Sequence, residues 1–96
     1  MNESLNEHLA IITVVGNDKV GIIAKVSAFL ADRNINIEDI SQTILSGNFV
    51  MMMMVNLSSG SKSLEEIKKE LADLGDTLNV SISLMHEKVF SAMHRI

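Results

Sequence analysis

The chain is predicted to fold in the α+β class, as a four-stranded antiparallel sheet with two helices on one face and a short helix at its C-terminal end. Three observations carry that expectation. Apolar residues recur with strand alternation or helical spacing in the order strand, helix, strand, strand, helix, strand. Turn and cap residues fall between these runs. Almost half of the 96 residues are apolar, with three phenylalanines, no tryptophan, tyrosine or cysteine, and seven methionines. That composition suits one small domain with an aliphatic core in which methionine fills the gaps.

The first strand is expected over Leu9–Val15. Both of its faces are apolar, with Leu9, Ile11 and Val15 on one and Ala10, Ile12 and Val14 on the other, as in a central strand covered on both sides. The first helix is read over Val20–Arg33, with Ile22, Ile23, Val26, Phe29 and Leu30 as its apolar stripe. Asn17 or Asp18 is the expected cap, and Asn34 the left-handed residue at its end. Ile35–Ser46 holds a connector and the second strand. Its apolar parity slips between Ile37 and Ile40, which predicts an irregularity at Glu38-Asp39. Ser46-Gly47-Asn48 reads as a hairpin turn.

Phe49–Leu57 is the third strand. Its odd positions belong to the core, and Val50, Met52 and Met54 face the other way. After a polar loop, Ser63 and Glu66 form a capping box. Leu64, Ile67, Leu71 and Leu74 give the stripe of a second helix that Gly75 is expected to end. Leu78, Val80, Ile82 and Leu84 alternate with polar residues as a fourth strand with one wet face. Val89, Phe90, Met93 and Ile96 make the stripe of a final short helix. The order β-α-β-β-α-β with right-handed crossovers is the ferredoxin-like arrangement. The expected organisation is a flexible tail over residues 1–7, one domain over 8–87 and a helical extension over 88–96.

With both helices on one face, the other face of the sheet shows Val50, Met52 and Met54 beside an apolar side of the first strand. Such a patch calls for a cover, either a second copy or the C-terminal helix. Val50, Met52 and Met54 are therefore the expected dimer interface.

The run Gly16-Asn17-Asp18-Lys19-Val20-Gly21 joins the first strand to the first helix. The first N–H groups of a helix lack partners, and the positive end of its dipole favours an anion such as a carboxylate. The glycines allow a sharp turn and close approach to the main chain. Asp18 also suits plain capping, and Asn36 and Asp39 suit plain turn chemistry.

Other chemistries find little support. The net charge is −4, and the eight lysines and arginines are scattered, unlike a nucleic-acid surface. The open sheet face carries methionine and valine where RNA-binding relatives of this architecture stack aromatics. No thiol is present, and His8, His86 and His94 lack metal-ligand spacing. No nucleophile–base pattern stands out, so neither enzyme activity, a cofactor nor a metal is expected. The apolar runs are too short to span a bilayer, and residues 1–7 are polar and acidic, unlike a targeting segment. The expectation is a cytoplasmic protein that binds neither nucleic acid nor membrane.

The stretch Ile11–Gly16, the loop Asn17-Asp18-Lys19-Val20-Gly21, the segment Asn34–Ile40 and the following hairpin together resemble the ACT domain, a small ligand-binding regulatory module. The resemblance covers nearly the whole chain. It is nearest to stand-alone single-ACT proteins, whose tail is similar to Phe90–Ile96, and extends to glycine-cleavage repressor proteins. Many such loops carry proline where this chain has Val20. The resemblance implies an amino-acid ligand at the loop, completed by the second-strand region of a neighbouring domain. Residue by residue it points to Asp18, Gly21 and Asn36, then to Asn17, Val20, Ile37 and Asp39. It also implies a homodimer that acts on a regulated protein. A ligand-free dimerisation or protein-interaction module is the alternative. The first helix separates Gly16–Gly21 from Asn34–Asp39, so a two-fold dimer is the expected way to bring the two regions together.

Overall fold

The computed structural model describes residues 8–17 and 21–93. Strands β1 (Leu9–Gly16), β2 (Asn36–Leu45), β3 (Asn48–Asn56) and β4 (Ser81–His86) alternate with helices α1 (Ile22–Asp32) and α2 (Leu64–Leu78), and α3 (Glu87–Met93) follows β4. The sheet has the order β2-β3-β1-β4, and every neighbouring pair is antiparallel. This is the ferredoxin-like arrangement that the element order implies.

The strand period sorts the side chains. Ala10, Ile12 and Val14 of β1 join Phe49, Met51, Met53 and Val55 of β3 beneath the helices. Val26, Phe29 and Leu30 of α1 and Ile67 and Leu71 of α2 close over them. Met51 and Met53 are fully buried, while Met52 and Met54 point to the opposite face.

Local chemistry sets the junctions. Asn34 takes φ 57°, and Ile35 N–H donates to Leu30 O at 2.9 Å while Asn34 N–H donates to Ala31 O at 3.1 Å. These two bonds close α1 in a Schellman motif, with Ile35 buried behind it. Ser46 and Gly47 both have positive φ, which matches the twist of a two-residue hairpin. Register shifts at Glu38, so Ile37 faces Val55 and Ile40 faces Met53 on one side of the sheet. A bulge thus accounts for the slipped parity.

The structure corrects several boundaries. α1 starts at Ile22 rather than Val20, and its cap position is Gly21 at φ 78°, with no side chain capping it among the described residues. Asn17 is not that cap, and Asp18 lies outside the described residues. Gly75 does not end α2, which continues to Leu78 and closes on left-handed Asn79. Helical bonding in that last turn outweighs the alternation of Leu78 and Val80, and β4 begins only at Ser81. The final helix begins at Glu87, and Ile96 lies outside the described residues. Its expected stripe is not buried as a unit, because Val89 and Met93 are 50% and 64% exposed. Phe90 is the half-buried member.

The helix layer stops short of β2. Ile40 and Ile44 point to the helix side by register, yet they are 40% and 61% exposed. On the other face, α3 packs against β1 and β4, and Ile11 is 5% exposed. Val50, Met52 and Met54 are half-buried there.

Candidate functional site

One end of the sheet gathers the C-terminus of β1, the β2–β3 hairpin and the start of β4, since Gly16 pairs with Phe49 and Val15 with Ser81. Gly21 opens α1 at this end. A Cβ placed on Gly21 would meet nothing within 4 Å among the described residues. Lys25 N–H donates to Gly21 O at 3.0 Å as the first helical bond. The N–H groups before it have no intrahelical acceptor and point outward from the helix end. Asp18 and Val20 lie outside the described residues.

Gly16 approaches β4's lead-in so closely that a Cβ would stand 2.5 Å from Val80 Cγ1. Gly75 does the same from α2, 2.9 Å from Val80 O. Between them opens a cleft of about 560 Å³. Asn17 reaches its rim, together with Asn48, Asp76, Asn79 and Ser81. The sequence points to Asn17 as a site residue but to none of the other four. Their signal was topological: an antiparallel sheet puts a hairpin and two helix–strand junctions at one end.

Asn36, Ile37 and Asp39 lie at the far end, where Asn36 faces Asn56 and Asn56 faces Leu9. Asn36 Nδ2 and Asn56 Nδ2 both donate to Glu38 Oε2, at 3.1 and 3.4 Å. Asp39 Oδ1 accepts the Ile40 N–H at 2.9 Å. Ile37 packs against the core, half-buried. Glu38 gained no role from the sequence, although the bulge that projects it was legible. Asp39 also lines a small groove of about 190 Å³ on the open face with Met52, Met54 and Phe90. Within one chain, then, Asn17 and Gly21 sit at one end, and Asn36, Ile37 and Asp39 at the other.

Arg33 anchors this far end. Its guanidinium lies 3.6 Å from the centroid of the Phe29 ring and donates to Phe29 O at 3.0 Å. Its Nε donates to Glu70 Oε1 at 2.7 Å, and Lys62 Nζ sits 3.0 Å from Glu70 Oε2. Hydrogen bonds from Arg33, then Lys62, hold the Glu70 carboxyl below its usual range. Among the described residues no group of three His, Cys, Asp or Glu could hold a metal ion. No helix among them is long and apolar enough to cross a membrane.

The ACT-domain family pattern matches residues 8–85. The chain belongs to the ACT-domain family. ACT domains are typically ligand-binding regulatory modules. A UPF0237 protein of Listeria monocytogenes is 51% identical to this one over 87 residues, covering 91% of this chain and 98% of its own. The solved structure of an ACT domain protein from Streptococcus pneumoniae is 44% identical, with a TM-score of 0.78 over 90% of this chain and 97% of that one. A protein assigned as a glycine cleavage system transcriptional repressor is 26% identical, with a TM-score of 0.72, over 79% of this chain and 44% of its own.

Proposed function

We propose that this ACT domain is a homodimeric regulatory module that binds a free amino acid at the seam between two copies. The observation that supports it is the edge of β2. That strand is exposed along its length, and its helix-side residues Ile40 and Ile44 have no cover. An unpaired strand edge is a template for another strand. Two-fold antiparallel pairing of β2 with β2 of a second copy would extend the sheet and cover Ile40 and Ile44. It would also bring Asn36–Asp39 of the second copy to the end where α1 of the first copy begins.

In this reading the ligand carboxylate binds the first N–H groups of α1 beside Gly21. Its ammonium binds Asn36 or Asp39 of the partner. Asn17, Asp18, Val20 and Ile37 shape the walls. Ligand binding at the seam of the dimer would then signal to a regulated protein in the cytoplasm. No catalytic role is assigned to any residue.

The alternative is a ligand-free interaction module that pairs through Val50, Met52 and Met54. The half-buried state of these three and the 37% exposure of Val15 beside them favour it.

A thermal-shift and calorimetry screen with the common amino acids separates the two readings. A ligand at a hundred times its Kd stabilises the fold by about 2.7 kcal/mol. Gly21→Asn is the informative variant, because asparagine tolerates the left-handed backbone at φ 78° whereas a β-branched residue does not. The expected result is a bound amino acid with the wild type, and none with Gly21→Asn, while the dimer persists. Equal affinity in both proteins removes the seam site. No heat with any amino acid favours the interaction module.

A further inference from the structure

We infer that the cleft between the ends of β1 and α2 is a second small-molecule site, complete within one chain, that takes a polar ligand bearing an ammonium group. It adjoins the seam at Asn17 but does not depend on it, because none of its other walls comes from β2 or from a partner.

Three features carry the inference. First, the cleft is built by the fold. Gly16 closes on the Val80 side chain and Gly75 on the Val80 carbonyl, at distances that leave no room for a Cβ, so both glycines are needed to form its floor. It is an open cleft of about 560 Å³, large enough to seat a small polar molecule. Second, five polar residues line it, from the ends of β1, β3, α2 and β4: Asn17, Asn48, Asp76, Asn79 and Ser81. None of them hydrogen-bonds to another described residue through its side chain, so their donors and acceptors are open to a ligand. Third, the charge has one sign. Asp76 is the only ionised group among the described lining residues. It stands in the last turn of α2, where the helix dipole adds further negative potential. A carboxylate and a helix C-terminus attract a cation, and amides and a hydroxyl suit a ligand with several polar groups.

NMR titration of the 15N-labelled protein tests this directly. Ethanolamine carries an ammonium without a carboxylate, and acetate a carboxylate without an ammonium. Ethanolamine should shift the side-chain amide signals of Asn48 and Asn79, and acetate should not. Asp76→Asn should weaken ethanolamine binding by about tenfold or more, as loss of a charge-assisted hydrogen bond implies. The Asp76 side chain makes no hydrogen bond among the described residues and sits at the negative end of α2, so this variant should melt no lower than the wild type. Asn48 and Asn79 signals that stay in place with ethanolamine, or that move equally in Asp76→Asn, overturn the inference. Failure of the seam would show elsewhere, as unmoved signals at Gly21 and at Asn36–Asp39 with whole amino acids.

Discussion

Gly75 lies inside a helix, where glycine is about 1 kcal/mol worse than alanine. Propensity alone would make Gly75→Ala stabilising. The added Cβ would, however, stand 2.9 Å from Val80 O and 3.3 Å from Ile82 Cγ1. The first of these is backbone and cannot swing away. Overpacking of that kind costs about 1–3 kcal/mol, which outweighs the gain. Urea denaturation should therefore show Gly75→Ala destabilised, and an unchanged or raised midpoint would contradict the close approach. Gly16 differs in one respect. Its neighbour is the side chain of Val80, so Gly16→Ala should lose stability that a second change, Val80→Ala, partly restores. Additive losses in the double variant would show that the two residues do not collide.

Elements depend on their ends. Ser63 Oγ accepts the Glu66 N–H at 3.2 Å, and Glu66 Oε1 accepts the Ser63 N–H at 2.8 Å. Ser63→Ala should cost about 1 kcal/mol, read as a lower urea midpoint with unchanged slope. The Arg33–Glu70–Lys62 cluster ties the end of α1 to α2 and adds a pH dependence. Its folded-state carboxyl titrates below the ordinary value of 4.5. The contribution is thus fully present above that value, fades as pH falls below it, and is lost under the lowered native one. Glu70→Gln should flatten that part of the acid limb in a series of melting curves and converge with wild type at the acid end. Parallel wild-type and variant curves across the range would show that the pair carries no linkage. Glu70 is partly exposed and screened, so the effect should shrink in high salt.

At the scale of the whole molecule, the uncovered edge of β2 is the feature that asks for a partner. Ile44 is 61% exposed in the single chain, so Ile44→Lys should leave the monomer fold intact. Placed at a paired edge, the same lysine would oppose strand addition. Sedimentation at micromolar concentration should show a dimer for wild type and a shift to monomer for Ile44→Lys. A dimer that survives this change but fails with Met52→Lys would transfer the interface to the open face of the sheet. The two outcomes distinguish edge pairing from face pairing, and the seam site depends on the first.

Much of the fold was legible because short-range patterns and long-range packing agree. The odd positions of β3 alternate strictly, and all four buried ones lie under the helices. Asn34, Ser46-Gly47 and the Ser63–Glu66 box are local devices, and each does what its chemistry implies. The parity slip announced the Glu38 bulge before any coordinates. The loop glycines marked where α1 begins to within two residues. By itself, then, the sequence determined element types, their order and the buried faces of β1, β3 and the two long helices, because these follow from spacing over a few residues. Only the tertiary structure decided the end of α2, since Gly75 is needed for contact with Val80 rather than for a helix stop. It alone assembled Asn48, Asp76, Asn79 and Ser81 around one cleft and left Ile40 and Ile44 bare. Those facts depend on which strand ends meet and how far the helix layer reaches, and no local period encodes either.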